Sequence, residues 1–174
     1  MAGVPEEMEI ELEAAPVTIP TEYRTPYLVS NAIALVLLGL SFRRPNWVRW
    51  LSVAIFGWAA YTNWRIADTR PLDYQTFGEL TTVGAYRDFI HGWFRLHTAE
   101  MLEPIALGQA AIALMLIVNR RLTRRLAVFG AVVFLLAIAP LGVGSAFPFS
   151  ITYSVGLLVM LHGLDRDVAK RLMT

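Results

Sequence analysis

The apolar positions of this chain fall into five long runs separated by polar or turn-forming punctuation, at about 26–42, 47–66, 103–119, 126–142 and 149–164. About 17–25 consecutive apolar residues, wound as a helix, cross the hydrocarbon core of a bilayer. The pattern therefore predicts an all-α fold, a polytopic transmembrane bundle of about five spans. The first run stops at Arg43-Arg44-Pro45-Asn46, a tight turn. The second carries Trp47, Trp50, Trp58, Tyr61 and Trp64, with aromatics toward both ends as interfacial belts require. The third stops at Arg120-Arg121-Leu122-Thr123-Arg124-Arg125. Gly142-Val143-Gly144-Ser145-Ala146-Phe147-Pro148 reads as the turn between the last two runs. A miscount at the first run would leave four spans.

The basic residues give the bundle a direction. Clusters follow the first, third and fifth runs, the last being Asp165-Arg166-Asp167-Val168-Ala169-Lys170-Arg171. Alternating spans place all three on one side, and Lys and Arg in short loops mark the cytoplasmic side. The expected topology in a cell (inner) membrane is N-terminus extracytoplasmic and C-terminus cytoplasmic. Residues 1–24 then form a polar, acidic outer arm containing Glu6, Glu7, Glu9, Glu11 and Glu13, ahead of a membrane domain over 25–174. No cleavable signal peptide is visible, because the arm has neither a basic start nor an apolar core.

The connection over 67–102 is too polar to span and lies on the outer side. Within it Phe89, Ile90, Trp93, Phe94 and Leu96 recur at near-helical spacing. This predicts an interfacial amphipathic helix that leads into the third span. Glu103-Pro104 then opens that span, with proline in the first helical turn.

Composition narrows the chemistry. Hydrophobic residues make up 56%, charged residues 17%, and the net charge is +1. There is no cysteine, which removes disulfides, thiolate metal sites and cysteine nucleophiles. The basic residues sit in the loops without a stripe of interleaved aromatics, so nucleic acid is not an expected partner. Ionisable groups at membrane depth would be functional candidates, and the runs hold almost none. Their polar members are Asn31, Ser52, Asn63, Gln109, Thr152, Tyr153, Ser154 and His162, while Gly39, Gly57, Gly108, Gly130 and Gly156 read as helix-packing positions.

Two candidate sites follow. The outer ends of the second and third spans could build a cofactor pocket for a quinone or another small molecule from Trp64, Arg65, His97, Glu103 and Gln109. His97 and Glu100 share a helical face at i and i+3 and could hold a metal, with His91 or Glu79 from elsewhere. The competing reading of the two glutamates is a solvated helix start favoured by the helix dipole. That of Arg65 is snorkelling to the interface.

From Trp47 to about residue 164 the layout resembles the DoxX-like family of small four-helix membrane proteins. The features are Arg49-Trp50-Leu51, Gly57 and Asn63-Trp64 on a first helix, then Tyr86-Arg87-Asp88-Phe89 in a polar outer segment. Ala106-Leu107-Gly108-Gln109 and Asn119-Arg120-Arg121 follow on a second, and two apolar helices join through Phe147-Pro148. The resemblance implies a helical bundle and a redox-complex setting, because that family includes subunits linked to quinone-coupled sulfur oxidation. The cofactor stays open, with quinone as one candidate. It supplies no catalytic motif, and the first span is an addition to it.

Three functions remain open. The leading one is a non-catalytic accessory or structural subunit of a larger membrane complex, which fits the absence of nucleophiles and buried charges. The second is a quinone-linked membrane oxidoreductase subunit. The third is a small-molecule carrier, disfavoured because five spans do not halve into inverted repeats.

Overall fold

A computed structural model describes residues 19–171, with side chains described as far as 169. The chain is helical, with no strand among the described residues. Five long helices carry the fold: α1 (Thr21–Arg43), α2 (Pro45–Thr69), α5 (Thr98–Val118), α6 (Arg121–Ile138) and α7 (Phe149–Arg171). Two short ones, α3 (Thr76–Leu80) and α4 (Gly84–Phe89), lie between α2 and α5. Three segments are long and apolar enough to cross a membrane: α1, α5, and α6 with its 3-10 extension to Ser145. α2 and α7 are as long, but Arg49, Arg65 and Asp68, and Asp165 to Arg171, lower their hydropathy.

Local chemistry sets the boundaries. Pro45 cannot continue α1, and it starts α2 because its fixed φ and missing N–H are harmless in a first turn. α5 ends on Asn119 in the left-handed region at φ 53, a conformation asparagine tolerates. Thr123 closes the start of α6, its hydroxyl accepting from the Arg120 N–H at 3.1 Å and donating to the Arg120 carbonyl at 3.0 Å. After α6 the chain tightens into a 3-10 turn, Ala139–Ser145. Gly142 lies there at φ 60, ψ −120, where a Cβ would also stand 3.2 Å from the Leu80 carbonyl oxygen. Only glycine adopts that backbone without strain.

Several boundaries depart from the sequence pattern. α1 begins at Thr21, so the acidic arm ends sooner than residue 24 and Pro26 lies inside a helix. The glutamates of the arm lie outside the described residues. α5 begins at Thr98, which puts Pro104 at its seventh position instead of the first turn. The outer amphipathic helix expected around Phe89 to Leu96 is broken. α4 stops at Phe89, a π-turn over Ile90–Phe94 bends at Gly92 (φ −91, ψ −108), and His97 interrupts the chain again before α5. Glycine and the need to fold back over the bundle defeat the helical period there. A Cβ added at Gly39, Gly57 or Gly108 would meet no atom within 4 Å, so these glycines do not mediate close helix packing. Gly156 does, since its Cβ would stand 3.5 Å from the Leu38 Cα.

Two cores result. The larger joins Ala34 and Leu37 of α1, Val48 and Phe56 of α2, Ile112 and Leu116 of α5, Ala127 and Leu135 of α6, and Tyr153 to Leu164 of α7. In its middle the Tyr153 hydroxyl donates to Ser52 Oγ at 2.9 Å. Such a bond contributes on the order of 1 kcal/mol. The smaller core gathers Ala67, Ile90, Phe94 and Leu102 under α3 and α4. Outside both, large apolar side chains face outward, among them Leu28, Leu35, Val36, Trp58, Leu114 and Phe129.

The basic turns come together at one end. Arg49 is buried, its Nη1 donating to the Leu116 carbonyl at 2.8 Å and its guanidinium lying 4.3 Å from the Trp50 ring. Arg124 is buried as well, donating to Asn119 Oδ1 at 3.2 Å and pairing with Asp165. Arg125 holds the other Asp165 oxygen at 2.8 Å. Burial disfavours the Asp165 charge, but the hydrogen bonds from Arg125 and Arg124 outweigh it and hold the carboxyl below its ordinary value. In sequence Arg124 reads as a loop charge and Arg49 as a charge at the start of the second run; both are buried structural groups.

Candidate functional site

At the opposite end a cavity of about 690 Å³ lies between the two cores. α5 contributes Leu102 and Ile105, and α6 contributes Phe134 and Ile138. Tyr74, Phe77, Phe89, Ile90 and Phe94 face it from the segment between α2 and α5. That segment is held down over α6 and its 3-10 extension. Thr81 Oγ1 donates to the Pro140 carbonyl at 2.6 Å, and the Tyr86 hydroxyl donates to the Ala137 carbonyl at 2.8 Å. Arg87 ties the cap to itself through the Thr81 carbonyl at 3.0 Å. Aromatic contacts stiffen it: the Tyr74 and Phe77 ring centroids are 5.2 Å apart, and those of Phe89 and Phe94 5.8 Å.

No charged side chain among the described residues lines this space. Its polar groups are Asn63, Tyr74, Tyr86 and Ser145. The Tyr74 hydroxyl donates to Asn63 Oδ1, and Asn63 Nδ2 donates to Gln109 Oε1 at 2.7 Å. This chain links the cap, α2 and α5. Burial pushes the Tyr74 phenol up to about 12, so it stays neutral and donating at physiological pH. Ser145 Oγ is directed to the Gly142 carbonyl at 3.1 Å. The capacity left over is small: a second N–H on Asn63 and the lone pairs of the Tyr74, Tyr86 and Ser145 oxygens. The cavity can hold a neutral, largely apolar molecule and orient one carbonyl or hydroxyl on it. Among the described residues its one serine hydroxyl, Ser145 Oγ, is tied to the Gly142 carbonyl, and no charged acid–base group lines it.

The five residues expected to form the pocket do not converge. Gln109 is buried in the polar chain just described. Trp64, Arg65 and Glu103 are exposed, and none of them lines the cavity. The reason is helical rotation of about 100° per residue. Asn63 faces α5, so Trp64 and Arg65 turn away; Leu102 faces inward, so Glu103 turns out. His97 stacks on Trp93 with centroids 4.3 Å apart, its Nδ1–H donating to the Trp93 carbonyl at 2.9 Å.

The metal expectation meets a similar geometry. His91 rests on Gly78, where a Cβ would stand 2.6 Å from its Nε2. Glu100 is exposed. Among the described residues no group of three or more His, Asp or Glu side chains gathers around one point.

Asn63 and Tyr74 are site residues that sequence reasoning misses. A signal exists for the first: Asn63 and Gln109 are amides in neighbouring apolar runs, at positions that can meet inside a bundle. Tyr74 carries none, because its place depends on how the cap folds back. Compared with protein-family models, with curated proteins and with solved structures, the chain matches none.

Proposed function

We propose that this chain is a five-span membrane protein with a non-catalytic role, which holds a neutral apolar ligand in the capped cavity as part of a larger membrane assembly. The cavity carries the reading: about 690 Å³, aromatic and aliphatic walls, no charge, and one polar chain at Asn63 and Tyr74. Sites of this size and lining suit lipid-soluble small molecules. A quinone fits the chemistry, with a ring among Phe77, Phe94 and Phe134 and a carbonyl accepting from the free Asn63 N–H. The DoxX-like resemblance of residues 47–164 points to the same redox setting, with α2, α5, α6 and α7 as the shared four helices.

The membrane reading extends from the three apolar segments to α2 and α7, because both pack within one bundle and match the others in length. Their charges lie near the ends or, as for Arg49, bond inside the protein. Outward-facing Leu, Val, Trp and Phe over the whole circumference suit lipid. The arginine turns mark the cytoplasmic end, and the cavity then lies in the outer half.

The test is extraction of the full chain from native membranes in mild detergent, followed by mass spectrometry of bound small molecules and of co-purifying proteins. Ala85→Trp and Ala137→Trp fill the mouth of the cavity from two exposed positions. The expected result is a stoichiometric neutral ligand in the wild type, lost from both variants while their helical content is unchanged. A wild-type chain without any bound molecule, or equal retention in the variants, overturns the reading.

A further inference from the structure

The buried charges at the arginine end do not balance. Arg49 and Arg124 are 6% and 3% exposed. Arg49 bonds only neutral acceptors, Asn46 Oδ1 at 3.4 Å and the Leu116 carbonyl. Two carboxylates are described there: Asp167 is exposed and makes no ion pair among the described residues, and the two oxygens of Asp165 are taken by Arg124 and Arg125. A buried charge without a counter-charge is costly. In addition, Arg124 Nε is fully enclosed and has no acceptor among the described residues.

A groove of about 210 Å³ opens at this point, lined by Asn119, Arg121, Arg124, Asp165, Val168 and Ala169. It sits at the N-terminus of α6, where the helix dipole favours an anion. Arg121 is exposed and has no partner among the described residues. Beside it on α6, Leu122, Leu126, Phe129 and Val133 face outward at i, i+4, i+7 and i+11. They form an apolar track running away from the groove along the helix.

We propose that this groove binds the phosphate of an anionic phospholipid headgroup, with an acyl chain lying along the α6 track. Arg49 does not line the groove; there Arg121 and Arg124 face the single carboxylate of Asp165, already shared with Arg125, and a phosphate adds the negative charge that these three arginines outnumber. The track favours a lipid over a free phosphate ion, which has nothing to place there. Basic pockets at the cytoplasmic edge of helical membrane proteins recognise anionic headgroups by this chemistry. The proposal rests on the membrane reading above and is independent of what fills the outer cavity.

The experiment is native mass spectrometry of the full chain in a non-ionic detergent, titrated with phosphatidylglycerol, with phosphatidylcholine, and with inorganic phosphate. One phosphatidylglycerol is expected to stay bound where phosphatidylcholine does not. Arg121→Ala removes one charge-assisted contact and lowers the apparent affinity about tenfold. Ala169→Trp fills the groove and has the same effect. Arg95→Ala, at the other end of the bundle, removes the same charge and leaves binding unchanged. Equal retention of the two lipids, or wild-type binding by both groove variants, overturns the proposal. Binding of inorganic phosphate without preference for phosphatidylglycerol also overturns it. A chain that stays dispersed without detergent would instead refute the membrane reading.

Discussion

Asp165→Ala removes the carboxylate that Arg124 and Arg125 share. The Arg124 side chain is 4% exposed and cannot turn to water, whereas Arg125, at 49%, can. Breaking one partner of a buried pair costs about 3–5 kcal/mol, and an exposed leg contributes roughly 0.5. Asp165 itself is 26% exposed, so water moderates the loss, and we expect about 3 kcal/mol. In Arg124→Met/Asp165→Ala both charges are gone, and most of that loss returns, leaving about 1 kcal/mol. Reversible unfolding in mixed micelles, followed by tryptophan fluorescence, measures all four members of the cycle. The argument fails if Asp165→Ala costs less than about 1 kcal/mol, or if the two single losses simply add. Acid provides a second check. The Asp165 carboxyl is depressed in the folded chain, so its contribution is complete above the unfolded value of about 3.9 and is lost as pH falls below it. The alanine variant lacks that part of the acid transition.

Three further outcomes follow from particular contacts. Gly142→Ala places a Cβ at φ 60, ψ −120 and 3.2 Å from the Leu80 carbonyl, and it lowers stability by about 1–3 kcal/mol in the same unfolding assay. Arg49→Gln removes a charged donor from the Leu116 carbonyl and costs about 1.5–3 kcal/mol, with faster hydrogen exchange at the last turn of α5. Tyr74→Phe breaks the link to Asn63; it lowers stability by about 1 kcal/mol and weakens retention of the cavity ligand. Because the folded Tyr74 value is raised to about 12, its contribution is whole below about pH 10 and fades between there and about 12. The phenylalanine variant loses that alkaline step.

The periodicity and punctuation of the chain were enough to determine the long helices and the end at which the arginines meet. These are local matters. Pro45 ends one helix and begins the next, Asn119 and the Gly142–Pro148 stretch stop two others, and an apolar run of about 17 residues needs no partner to be read. Short connections between the helices then bring the basic turns to one end.

Only the tertiary structure decided which side chains act together. Arg124 looks like a loop charge in sequence and Arg49 like a charge at the start of a span; both become buried groups because neighbouring helices supply their partners, the Leu116 carbonyl for Arg49 and Asp165 for Arg124. Trp64 and Arg65 adjoin Asn63 in the chain but lie about 100° and 200° from it around the helix, so they point away from α5 while Asn63 meets Gln109. The cavity itself has no sequence signature. It exists because Gly92 and His97 break the outer helix and fold Tyr74, Phe77 and Phe94 back over α5 and α6. Apolar spacing reports which face of a helix is buried; it does not report what a bend places above that face.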